Sequence, residues 1–134
     1  HFFGGRVAPA TQGWAVGVHT SKIDKVEPWM DEGTPQQISL LSSHKDQVVE
    51  LPAEAEIFMS NDFCPVAGFT MGDQVLSLQG HPEFNTAYAS DLMDVRADLI
   101  GGAVYRAGKQ SLQTPLHSSE VARWIINFVA GTSA

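Results

Sequence analysis

The apolar and polar positions change period once along the chain, near Pro82. Upstream, the pattern is that of strands. Trp14, Val16 and Val18 alternate with other residues, which predicts a strand over 14–19 with one buried face, antiparallel or at a sheet edge. Residues 20–37 are polar and carry Pro28, Gly33 and Pro35, so an irregular connection is expected there, followed by a short apolar strand at 38–41 and a turn at 42–46. Three more short strands, around 56–60, 66–71 and 75–79, are separated by Asn61-Asp62 and Gly72-Asp73 turn signals and predict a meander. Beyond Pro82, Tyr88, Leu92, Val95 and Leu99 recur at three and four residues. That spacing predicts one helix face running to about Tyr105, weakened locally by Gly101-Gly102. Val121, Trp124, Ile125, Phe128 and Val129 form a second stripe, with Ser118 or Ser119 available as N-cap and Gly131 as the stop. At the opposite end, two aromatics ahead of Gly4-Gly5 predict the close of a helix and then a short strand, an opening that implies further sequence upstream. With no internal repeat or linker, one unit of strands followed by covering helices is the simplest architecture.

Composition narrows the function. The 134 residues are 43% apolar, enough for one domain with a core. Lys and Arg number 8 against 15 Asp and Glu, a net charge of −7, which disfavours nucleic acid and anionic membrane surfaces as partners. No apolar run approaches the roughly 20 residues of a membrane span, and the first residues lack the regions of a signal peptide. A cytoplasmic protein is expected. The single Cys64 excludes an internal disulfide and a multi-cysteine metal cluster.

Candidate chemistry concentrates at Gln79-Gly80-His81-Pro82-Glu83-Phe84, where a strand meets a proline that cannot continue a ladder. In extended backbone, residues two apart point to the same side. The Glu83 carboxylate is thus expected to hold one ring nitrogen of His81 and turn the other toward a nucleophile. An oriented imidazole is what a Cys or Ser nucleophile needs to lose its proton and later to protonate a leaving amine. On spacing alone, a His-x-Glu pair at a strand end is more often a solvated surface pair.

The surrounding residues resemble a known family. Gln79-Gly80-His81-Pro82-Glu83 resembles the His-Pro-Glu signature of the class I glutamine amidotransferases, and Ser43-His44-Lys45-Asp46-Gln47-Val48 resembles that family's Ser-His-Gly-Asp-Gln-Val stretch, in the same order. Asn61 to Ala67 and Gly4-Gly5-Arg6-Val7 look like the family too. The resemblance implies a three-layer α/β/α, flavodoxin-like domain with a mostly parallel sheet and an antiparallel strand group, of which residues 1–134 are the C-terminal portion. It implies a Cys-His-Glu triad that releases ammonia from the glutamine side chain, with His81 as base then acid and Glu83 as its orienter. Substrate binding is implied at Ser43, His44, Lys45 and Asp46, through the Ser43 hydroxyl and the backbone around Lys45, with His44 structural. The family's nucleophile sits in a Gly-x-Cys-x-Gly turn that is absent from these residues, so the N-terminal part of the domain is expected to be missing and the chain inactive alone. The implied partners are glutamine or another γ-glutamyl small molecule and an ammonia-accepting synthase domain or subunit, with no cofactor and no metal. Two rivals stand beside this reading: a γ-glutamyl peptidase of the same superfamily, which Gln79 to Phe84 also resembles, and a non-catalytic fragment or regulatory relative.

Cys64 is a poor substitute nucleophile, since it precedes Pro65 and lacks the glycines of a sharp turn. A zinc site drawn from His19, His44, His81 and Cys64 lacks the close-spaced ligand pairs such sites use. Tyr88 and Arg96 read as a packed aromatic and a surface charge.

Overall fold

The structure, a computed structural model, describes residues 4–131, so the helix end expected at residues 1–3 lies outside the described part. Seven strands come first: β1 (Arg6–Pro9), β2 (Ala15–Ile23), β3 (Gln37–His44), β4 (Asp46–Glu50), β5 (Glu56–Ser60), β6 (Gly68–Met71) and β7 (Val75–Leu78). Four helices follow: α1 (Thr86–Val95), α2 (Ala97–Ile100), α3 (Gly102–Ser111) and α4 (Ser118–Ala130). β1 and β4 form a two-stranded sheet, and the rest form a five-stranded sheet in the order β3-β2-β5-β6-β7.

Every strand pair among the described residues is antiparallel, so the antiparallel group is found and the expected parallel strands are not among them. Connection length explains this: short links permit only antiparallel neighbours, and parallel ones need a crossover of a dozen or more residues, usually helical. The long link between β2 and β3 contains no helix. It folds as consecutive turns, one with Pro28 at its second position and closed by Met30 N–H to Glu27 O at 3.0 Å. Trp29 and Met30 are thereby tucked into the core, although the polar composition around them predicted only a connection.

β2 is antiparallel, one of the two placements expected for it, and lies inside the sheet, pairing with β3 along its length and with β5 at Lys22 and Ile23. One further expectation is corrected. No turn spans 42–46: β3 runs through His44, and the chain bends only at Lys45, which passes it from one sheet to the other. Beyond β5 the open edge of β2 is covered by α3, where Ser111 Oγ accepts the Val18 N–H at 2.8 Å.

Side chains alternate across a sheet, so Ile38 and Leu40 of β3 face one way and Leu41 and Ser43 the other. On the first face, α4 and the 24–36 link enclose Trp29, Phe58, Trp124 and Val121, with Trp29 set edge-on to Phe58 (5.1 Å) and Trp124 (5.8 Å). On the second face, Met93 of α1 and Ile100 of α2 pack on Val16 of β2. Helices on both faces give a three-layer α/β arrangement.

The α4 stripe is largely as expected. Val121 and Trp124 are buried and Ile125 and Phe128 pack on the core, but Val129 is 81% exposed. Gly131 closes the helix in the left-handed region, and the N-cap is His117 rather than a serine. His117 mimics a strand partner instead: its N–H donates to Ser39 O and its Nδ1 accepts the Ser39 N–H, both at 2.9 Å. The first helical stripe is displaced. Ala89, Met93 and Ile100 are buried, while Tyr88, Val95 and Leu99 are 50%, 84% and 72% exposed. A single helical phase cannot run through this stretch, because it breaks at Arg96 and again at Gly101, whose φ of 90° favours glycine.

Candidate active site

β7 delivers the chain to the site. The Gln79 N–H donates to Ala67 O at 2.9 Å, and two residues later the His81 N–H donates to Leu41 O at 2.8 Å. This second contact is an antiparallel bridge to the outer edge of β3. Since β3 and β7 are the two edges of the sheet, the bridge curls the sheet on itself. Pro82 has no N–H and ends the pairing.

The His81–Glu83 contact forms, although not through extended backbone. Phe84 N–H donates to His81 O at 3.2 Å, closing a β-turn with Pro82 at its second position. Across that turn His81 Nδ1 lies 3.0 Å from Glu83 Oε2. The hydrogen bond to His81 holds the Glu83 carboxyl below its ordinary range, so it is ionised at neutral pH. An ionised carboxylate only accepts. Nδ1 therefore carries a proton, and Nε2 is the ring nitrogen left to exchange one with a nucleophile. Phe84 stacks on the imidazole at 4.2 Å and 7°, with Tyr88 edge-on to Phe84 at 4.8 Å, and this limits rotation of the ring. His81 is 35% exposed and Glu83 65%, so the pair opens to solvent.

The four residues of the Ser43–Asp46 segment are not brought together. Paired residues of an antiparallel ladder share a face, so His81 lies on the face of Leu41, and so does Ser43, a diagonal neighbour of His81 at about 7–8 Å between Cα atoms. Ser43 Oγ accepts a 2.9 Å hydrogen bond from Arg96 Nη1. His44 points to the opposite face. Lys45 is exposed at the bend, where its carbonyl accepts the Ala10 N–H at 2.7 Å, and Asp46 is exposed opposite Pro9 of β1.

His44 lines a small cavity of about 20 Å³ with His19, Ser42, Asn61, Cys64 and Gln79, room for roughly one water. Burial, with the nearby His19 adding to it, pushes the His44 pKa down to about 4, and burial lowers that of His19 as well. Both rings are neutral at physiological pH, and His44 Nδ1 is buried without a hydrogen-bond partner. Cys64 is 4% exposed, its thiol donates to Val66 O at 3.4 Å, and burial pushes the thiol pKa up. It is a buried, protonated thiol with no contact to His81. Among the described residues, no three His, Cys, Asp or Glu side chains gather as metal ligands, and no helix is long and apolar enough to cross a membrane.

Sequence reasoning read Arg96 as a surface charge, whereas it is half-buried. Its guanidinium lies 5.6 Å from the centre of the Trp14 ring and reaches Ser43, so it belongs to the site's face. Neither contact has a signature in linear spacing.

No family profile matches the chain. Individual proteins do. Gamma-glutamyl peptidase 3 of Arabidopsis thaliana is 30% identical over 96 residues, which span 68% of this chain and 39% of the peptidase. A glutamine-hydrolyzing GMP synthase of Streptococcus pneumoniae is 30% identical over 95 residues, 69% of this chain and 18% of the synthase. The matched part is thus less than half of either relative. A glutamine amidotransferase of Thermotoga maritima superposes with a TM-score of 0.67 at 15% identity, covering 95% of this chain and 56% of that one. By sequence kinship with the first two and by the fold it shares with the third, the chain belongs to the class I glutamine amidotransferase family of hydrolases and amidotransferases.

Proposed function

We propose that this chain supplies the general base and its orienting carboxylate to an enzyme that hydrolyses the γ-glutamyl amide bond, with glutamine as substrate. The observation that carries this reading is the 3.0 Å contact of His81 Nδ1 with Glu83, which engages one ring nitrogen and leaves Nε2 for the nucleophile. A cysteine thiol gives its proton to Nε2 and its sulfur bonds to the side-chain carbonyl carbon of glutamine. The resulting imidazolium protonates the nitrogen as the C–N bond breaks and ammonia leaves, giving a thioester. Water then attacks the thioester, passing a proton through His81, and the thiolate departs from glutamate. Glu83 keeps the proton on Nδ1 throughout.

The nucleophile comes from outside these 134 residues, because Cys64 is buried and protonated. Residues 1–134 are then the C-terminal portion of a larger domain whose remaining strands supply the parallel part of the sheet. Ser43 binds the amino-acid end of the substrate, and Lys45 contributes backbone. Asp46, exposed in β4, and His44, turned into the interior, serve the segment's shape. The ammonia passes to a synthase domain or subunit, by analogy with the glutamine-hydrolyzing GMP synthase. A second reading, cleavage of γ-glutamyl peptides, is favoured by the match to a gamma-glutamyl peptidase and uses the same residues.

The test is ammonia release from glutamine by the complete protein. His81→Ala is expected to lower kcat by about 10²–10⁴-fold, and Glu83→Gln by less, since its carboxylate is exposed. The 134-residue chain alone is expected to show no turnover. Full activity in His81→Ala overturns the reading, and release of an amino acid or peptide in place of ammonia selects the peptidase.

A further inference from the structure

Arg96 is the candidate that the proposed chemistry leaves unused. It is a half-buried cation in a chain with 15 acidic residues, yet no carboxylate among the described residues pairs with it. Of the other seven Lys and Arg side chains, Arg6, Lys22, Lys25, Lys109 and Arg123 each hold a carboxylate, and Lys45 and Arg106 are exposed. A guanidinium offers five donors, and drawing it out of water is unfavourable unless an anion or several acceptors receive it. Here it has one neutral acceptor, Ser43 Oγ, and the face of Trp14, a contact that suits a cation but satisfies no donor.

The backbone that carries this side chain is well held. Arg96 is the joint between α1 and α2, where its N–H donates to the Leu92 and Asp94 carbonyls and its carbonyl receives the Leu99 and Ile100 N–H groups, both at 3.0 Å. Ser43, two residues along β3 from the Leu41 that bridges His81, places the guanidinium on the imidazole's side of the sheet. A planar donor without a counter-ion among the described residues matches the geometry of a carboxylate, which it can take in bidentate fashion.

We infer that Arg96 is the carboxylate receptor of this site, binding a carboxylate of the γ-glutamyl substrate beside Ser43 while His81 addresses the amide. The inference rests on the hydrolytic reading. Glutamine has one carboxylate, on its α carbon, whereas a γ-glutamyl peptide has a second at the end of its leaving group. The chemistry of recognition is the same for both, and substrate variants separate them.

In the complete protein, kcat and KM are measured for wild type, Arg96→Gln and Arg96→Lys on glutamine, glutamine α-amide, γ-glutamylglycine and its C-terminal amide. Arg96→Gln is expected to raise KM about 10- to 100-fold for substrates that keep the recognised carboxylate and to leave kcat within a few-fold, with partial rescue by lysine. A penalty that vanishes with the α-amide assigns the α-carboxylate, and one that vanishes with the C-terminal amide assigns the leaving group. An equal penalty on all four substrates, or none, overturns the inference while leaving the hydrolytic reading intact. Binding is read separately from turnover by the Arg96 side-chain N–H signal in titrations of the His81→Ala protein with L-glutamate and with γ-glutamylglycine. A shift with at least one of them that its dimethyl ester does not produce is expected, even if the protein proves inactive on every amide, and no shift with either overturns the inference.

Discussion

The two faces of the five-stranded sheet are built on different terms. Under α4 the face is aromatic and interlocked: Trp29, Phe58 and Trp124 meet edge to face, and Trp124 is 1% exposed. Under α1, α2 and α3 the buried cluster is Val16, Met93 and Ile100, bordered by Arg96, Ser43 and Trp14. Close approach replaces bulk there, as Gly108 shows: a Cβ on it would lie 2.8 Å from Val16 Cγ2 and 2.9 Å from Met93 Sδ. The first face carries the interlocked aromatic core, and the second carries the Arg96–Ser43 contact beside a smaller apolar cluster.

Trp124→Ala strikes the aromatic face hardest and is expected to cost roughly 3–5 kcal/mol in denaturant unfolding. Trp124→Phe sharpens the point. It keeps most of the ring volume and removes an indole N–H that is buried without a partner, so its cost should be well below that of alanine. Acid attacks the curled sheet between the faces. A histidine whose folded pKa lies below its unfolded value favours the unfolded chain once protonated, so the stability given by neutral His44 is intact above about pH 6.5, falls as pH drops toward about 4, and levels off below that; His19, also lowered by burial, acts in the same direction. The loss for His44 is on the order of 2–3 kcal/mol, read as a lower unfolding midpoint at pH 4.5 than at pH 7, and His44→Gln should flatten the profile. Gly108→Val probes the second face and is expected to cost about 1–3 kcal/mol through overpacking against Val16. Asp94→Asn should come last. Asp94 bonds Tyr105 and Lys109 in solvent, and its loss is expected to leave the thermal midpoint unchanged within error.

How much of this was legible beforehand follows the same division. The strand at 56–60, the meander that follows it and the α4 stripe were readable because short turns and a single period determine them locally. The first helical stripe was misphased because Arg96 and Gly101 interrupt the helix, and the phase that buries Ala89 and Met93 is set by contact with Val16. Trp29 was hidden in a polar link that only the tertiary fold turns inward. At the site, the His81–Glu83 pair was legible from two residues and a proline, though it closes across a turn rather than along a strand. The Ser43–Asp46 segment was legible as a motif and misleading as a cluster, because β3 continues through His44 before the chain bends at Lys45 into the other sheet, and alternation sends Ser43 and His44 to opposite faces. Arg96 depends on a helix end meeting a strand fifty-three residues away, and nothing local signals that.

The bridge from His81 to Leu41 makes one backbone amide a reporter. That N–H is held by a single carbonyl at the rim of the sheet, beyond the last regular pair of β7. Its rate of exchange with deuterium therefore measures how often the imidazole leaves its place, independently of whether any substrate is present. Protection close to that of the α4 amides would mean that the site opens only when the molecule unfolds, and faster exchange would mean that it opens by itself.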